Sequence, residues 1–88
     1  MSQPVVFKED SEKRTYGWDY DPETVSSAVI TISPAGLDKD GGEIIDGSQV
    51  SQKIKNGIGG ENYRMVFEVN TNEGNTYIDV IFVSIYSI

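Results

Sequence analysis

The sequence predicts a small all-β protein, an antiparallel β-sandwich of about six to seven strands. Three observations predict it. Turn signals recur between short apolar stretches: Ser33-Pro34-Ala35-Gly36-Leu37, Lys39-Asp40-Gly41-Gly42, Asn56-Gly57-Ile58-Gly59-Gly60 and Thr71-Asn72-Glu73-Gly74. Glycine supplies the positive φ that tight turns need, and proline presets φ at their first corner. The stretches between them alternate apolar and polar residues, the period-two signature of a strand with one buried face. No stretch carries sustained i, i+3, i+4 apolar spacing, and each is too short to hold a helix. At 88 residues the chain fits one domain, residues 1–88, whose folding buries roughly 60 to 65% of the extended chain's surface, enough for a single core.

The elements follow in order. Val5 to Phe7 is a short apolar strand, and residues 8–14, Lys8 to Arg14, read as a charged loop. In Thr15 to Tyr20 the aromatics Tyr16, Trp18 and Tyr20 share one face at period two, and Asp21-Pro22 ends the strand. Val25 to Ile32 is rich in β-branched residues, with Ala28, Ile30 and Ile32 on one face and Val29, Thr31 and Ser33 on the other. Pro34-Ala35-Gly36 closes it. Glu43 to Asp46 is a short strand, and the polar alternation of Ser48 to Lys55 predicts an edge. Tyr63, Met65, Phe67 and Val69 then alternate with Arg64, Val66, Glu68 and Asn70. The expected core comprises Trp18, Ile30, Tyr63, Met65, Phe67 and Val69. Tyr63 opens its strand where a sandwich often places a tyrosine whose hydroxyl ties back to nearby backbone, the tyrosine corner.

The long C-terminal strand, residues 76–88, is apolar on both faces: Ile78, Val80 and Phe82 on one, Tyr77, Ile81, Val83 and Ile85 on the other. Which set points inward depends on the preceding turn. A three-residue connection, Asn72-Glu73-Gly74, pairs Val69 with Tyr77; a four-residue one starting at Thr71 pairs Val69 with Thr76. The second is favoured, because it keeps the Asp79 carboxylate out of the core, where it would be costly without a partner. Ile81, Val83 and Ile85 then face outward and, with Ile88, form the candidate partner interface, unless the strand Val5 to Phe7 covers them.

Composition removes several classes of function. The chain has no cysteine and no histidine, which excludes disulfides, thiolate nucleophiles, thiol-rich zinc sites and the imidazole base of most hydrolase triads. A net charge of −7 opposes tracking of nucleic-acid phosphates, and the cluster Lys8, Lys13, Arg14, Lys53 and Lys55 is diluted by Glu9, Asp10 and Glu12. No apolar run approaches the ~18 residues of a membrane span, and the N-terminus carries no secretory signal pattern. No cofactor is expected. Asp19 and Asp21 form a carboxylate pair of the kind used on glycosidic bonds, but turn initiation beside Pro22 and edge protection account for them. Asp38-Lys39-Asp40-Gly41-Gly42-Glu43 has oxygen ligands without calcium-loop spacing, and Lys39 sits among them, so it reads as a turn. Gly57-Ile58-Gly59-Gly60 lacks both the lysine and the following helix of a phosphate loop.

Read together, Trp18-Asp19-Tyr20, Val25-Ser26-Ser27, Pro34-Ala35-Gly36-Leu37, Gly59-Gly60-Glu61-Asn62-Tyr63 and Thr71-Asn72-Glu73-Gly74-Asn75-Thr76 resemble small structural proteins of tailed bacteriophages and prophages, the fiber-tail adaptor family in particular. The resemblance runs from about Tyr16 onward. It implies an immunoglobulin-like β-sandwich that is a non-enzymatic structural subunit, made in the host bacterial cytoplasm and located in the virion. Its partners would be other virion proteins, tail, fiber or connector subunits, and further copies of itself in a homo-oligomeric ring. The alternative is a carbohydrate- or surface-binding adhesion module that uses Tyr16, Trp18 and Tyr20 as a stacking platform.

Overall fold

A computed structural model describes residues 4–87. It contains eight strands and, among the described residues, no helix: β1 (Val5–Glu9), β2 (Arg14–Asp19), β3 (Val25–Ser33), β4 (Leu37–Lys39), β5 (Ile44–Asp46), β6 (Gln49–Asn56), β7 (Asn62–Thr71) and β8 (Thr76–Tyr86). They form two packed sheets. One runs β1-β8-β7-β3; in the other β6 lies between β2 and the end-to-end pair β4 and β5. This is a β-sandwich, with β2-β6-β4/β5 facing β3-β7-β8. The strand count exceeds the six to seven expected because Leu37–Lys39, directly after the Pro34-Ala35-Gly36 turn, forms a short strand of its own against the end of β6.

Three further expectations are corrected. The sandwich is not wholly antiparallel, since β1 pairs with β8 in parallel, Val5 opposite Phe82 and Lys8 opposite Ile85. The segment Ser48 to Lys55 is not an edge but part of the central strand β6. Its inward positions Val50, Gln52 and Ile54 are buried, and the polar one is anchored: the Gln52 amide donates to the carbonyls of Gly41 (3.0 Å) and Lys53 (2.9 Å). The charged loop is shorter than residues 8–14, because Lys8 and Glu9 belong to β1 and Arg14 opens β2.

A fourth correction concerns β8. The connection from β7 is the three-residue one: Asn70 pairs with Thr76 and Val69 with Tyr77. The Thr71 N–H donates to the Asn75 carbonyl (2.9 Å), and Gly74 takes φ +88°, the left-handed conformation that a three-residue hairpin loop uses. Strand side chains alternate, so this register turns Ile81, Val83 and Ile85 inward. They are 4%, 0% and 2% exposed and form the core rather than an interface. Ile88 lies outside the described residues. Asp79 consequently points inward opposite Phe67, and it is not unpaired: the Tyr20 hydroxyl donates to its carboxylate across the sandwich at 2.8 Å.

The core is built from both sheets: Val25, Ala28, Ile30, Leu37, Val50, Ile54, Tyr63, Met65, Phe67 and Val69 join the three residues of β8. Trp18, expected within the core, is instead half-buried and packs against its edge together with Tyr16 of β2 and Tyr20 just after that strand. Tyr63 occupies the corner between β6 and β7, where its hydroxyl accepts the backbone N–H of Ile58 (3.1 Å). Gly36 must be glycine there. Its φ is +128°, and a Cβ would stand 2.5 Å from the Tyr63 hydroxyl oxygen.

Candidate functional site

With Ile81, Val83 and Ile85 inside, the other apolar set of β8 faces out. Register places Ile78, Val80 and Phe82 beside Glu68, Val66 and Arg64 of β7. On either side, Val5 of β1 lies next to Phe82, and Val29 of β3 next to Glu68. The outer face of the four-stranded sheet is thus an apolar field that runs from Phe7 and Val5 across Phe82, Val80, Ile78 and Val66 to Val29. Its prominent members are Phe7 (66% exposed), Ile78 (65%), Val29 (60%) and Val5 (56%), with Val66, Val80 and Phe82 half-buried between them. A groove of about 300 Å³ opens at one end, lined by Val5, Phe7, Asn62, Phe82, Val83 and Ser84. Contiguous apolar surface of this kind marks an interaction site far more reliably than isolated exposed residues do.

The strand that borders this face is fixed from behind. Lys8 is fully buried on the inner side of β1, and its ammonium donates to the carbonyls of Asn56 and Glu9, the latter at 3.0 Å. Asn56 itself adopts φ +65° at the end of β6. A lysine stem therefore spans the two sheets and ties β1 to the β6–β7 turn. Burial lowers its pKa, while Glu12, Asp10 and Glu9 pull the other way.

The remaining candidate groups are engaged structurally. The Asp19 carboxylate accepts the Asp21 N–H (3.0 Å) and the Ser48 hydroxyl (2.7 Å). These bonds hold its pKa below the usual aspartate value, the opposite of what a general acid needs. Asp38 accepts from the Asn56 amide (2.8 Å), and Asp40 faces Lys13 (3.8 Å) and Lys53 (3.9 Å). Glu23 binds Tyr77, Asn75 and Thr71, the first of which contributes most to lowering its pKa. That cluster, with the Tyr20 ring 5.4 Å from Tyr77, locks the β2–β3 loop to the β7–β8 hairpin. Among the described residues no group of three acidic side chains is placed to hold a metal ion.

Of the sequence-predicted site residues, none of Ile81, Val83 and Ile85 reaches the surface; Ile78, Val80 and Phe82, expected to point inward, take their place on the outer face. β8 is apolar on both faces, so its parity is not legible locally; Asp79, which reads as unfit for the inner face, finds its partner in Tyr20, 59 positions away. No protein-family model and no curated protein matches this chain.

Proposed function

We propose that this protein is a non-enzymatic structural subunit of a bacteriophage or prophage particle, acting in assembly at the tail, fiber attachment or connector through protein–protein contacts. The observation that carries the assembly reading is the apolar outer face of β1-β8-β7-β3, which no described residue covers and which carries the three most exposed large hydrophobic residues, Phe7, Ile78 and Val29. The particle, the virion location and the origin in a bacterial host come from the resemblance of its turn motifs to fiber-tail adaptors. Copies set in a ring would multiply a contact that is weak singly, through effective concentration. The acidic surface disfavours packaged nucleic acid. The aromatic platform that a carbohydrate-binding module would use is taken up in packing, since Tyr16, Trp18 and Tyr20 lie against the core.

The test is mass spectrometry of purified particles from the host that encodes the chain, with the wild-type gene and with Ile78→Glu. The wild-type chain is expected at structural copy number, and the variant, which touches only an exposed side chain, is expected to be depleted. Absence of the wild-type chain from particles overturns the reading.

A further inference from the structure

The outer face has an internal symmetry. About the level of Val66 on β7 and its neighbour Val80 on β8, the register sets Arg64 and Glu68 two residues to either side, and likewise Phe82 and Ile78. Two residues of strand are roughly 6.8 Å. One half of the face therefore presents a cation and a recessed aromatic, and the other half an anion and a protruding isoleucine.

We infer that this face binds a second copy of the chain, the two four-stranded sheets packing face to face about a two-fold axis. This rests on the proposed role in assembly and names a second copy as the partner at this face; the contact is isologous and closes as a pair, so a ring would join such pairs through other surfaces. The axis lies between the sheets, perpendicular to the strands, over Val66 and Val80. It reverses the strand direction of the second copy, so Arg64 of each copy lies over Glu68 of the other, and Ile78 of each over Phe82 of the other. At the Phe82 end, the groove of about 300 Å³ edged by Val5 and Phe7 lies open to the isoleucine, which is 65% exposed in the free chain. Every favourable contact occurs twice, as an isologous interface requires, and aligned sheet packing interdigitates side chains in this manner.

Charge distribution favours the same occupant. The chain carries 14 acidic and 7 basic residues, so two copies repel over most of their surface. The outward positions of β7 and β8 hold one residue of each sign, Arg64 and Glu68, both exposed. The acidic excess lies on the other sheet and in loops, at residues such as Asp19, Asp38, Asp46 and Glu73. Like-charged copies meet with least repulsion at this face, with Arg64 and Glu68 setting the register.

Area sets the strength. Under this axis β7 and β8 overlap together with part of β3, whereas β1 starts at the level of Phe82 and runs away from the axis. Three strands ~4.8 Å apart, over about eight residues of ~3.4 Å each, give a footprint of roughly 400 Å² per copy. That falls below the ~800 Å² per partner of a standard interface, so the contact is weak and reversible in the isolated chain.

The test is sedimentation equilibrium from ~10 μM to ~1 mM, a range that brackets weak association, on wild type, Arg64→Glu and Glu68→Arg, each confirmed folded by circular dichroism. Wild type is expected to form dimers as concentration rises. Each single variant sets like charges together at both symmetric positions and is expected to weaken association roughly tenfold or more. An equimolar mixture of the two variants is expected to recover dimers at the wild-type level, because residues 64 and 68 of one then complement those of the other. A wild type that stays monomeric at ~1 mM, variants that dimerise as well as wild type, or a mixture that does not recover each overturns the inference. A monomer that is nonetheless present in particles overturns only the symmetric contact, whereas absence from particles overturns the role in assembly itself.

Discussion

Asp79 shows how one residue pair governs a strand. An inward carboxylate at a sandwich interior is unfavourable alone, yet the Tyr20 hydroxyl meets it at 2.8 Å. The same bond, together with burial as the larger cause, pushes the Tyr20 phenol pKa well above its ordinary value, so it remains a donor throughout the physiological range. Tyr20→Phe removes the donor while leaving the ring packed. Urea unfolding is expected to show a loss of about 1 to 3 kcal/mol, the contribution of a hydrogen bond to a charged, partly buried acceptor. Tyr20→Phe/Asp79→Ala is expected to lose less than the two single changes together, because the second removes the group that the first strands.

At the scale of elements, the short strand β1 illustrates a sheet edge held by one side chain. Five residues in parallel pairing with β8 provide few ladder bonds, and among the described residues β1 has no strand on its other side. Lys8 supplies the tether, burying its stem in the sandwich and delivering its charge to two backbone carbonyls. Lys8→Ala removes the packing and leaves the carbonyls of Asn56 and Glu9 without this donor, so chemical unfolding is expected to register a loss of about 2 to 4 kcal/mol. Hydrogen exchange is expected to locate the damage, with protection lost over Val5–Glu9 before the centre of β7. Equal loss in both would mean that the lysine supports the core at large and not this strand. Because Val5 and Phe7 edge the outer groove, detaching β1 also removes one wall of the contact face.

For the whole molecule, the acidic excess leads to a dependence on pH whose sign follows from the paired carboxylates. Glu23, Asp19, Glu12 and Asp10 all have pKa values lowered by hydrogen bonds in the folded state. The unfolded chain therefore binds more protons as pH falls through the ordinary values of 4.5 for glutamate and 3.8 for aspartate. The stabilisation is present above those values and is lost as pH drops through the lower, folded ones. Thermal unfolding is expected to show the midpoint falling below about pH 4.5, with a shallower decline in Glu23→Gln, which cannot take up the proton. A variant as acid-sensitive as wild type would show that the Glu23 cluster with Tyr77, Asn75 and Thr71 plays no part in acid unfolding.

Local information in the sequence determined the all-β class, most strand positions, the turn at Gly36, the position but not the length of the turn at Gly74, the core alternation of β7 and the corner tyrosine Tyr63. Each of these is written within a few residues, by glycine φ, proline and period-two apolarity. The side of β8 that faces the core, the burial of Lys8 in β1 and the central place of β6 with its polar Gln52 were decided by tertiary structure alone. In each case a polar group reads locally as unfit for the interior, and its partner comes from elsewhere in the fold: Tyr20 for Asp79, the Asn56 carbonyl for Lys8, the Gly41 carbonyl for Gln52. Hydrogen bonding to such partners offsets the cost of burial, and in β8 a one-residue shift then exchanges the whole inner face for the outer one.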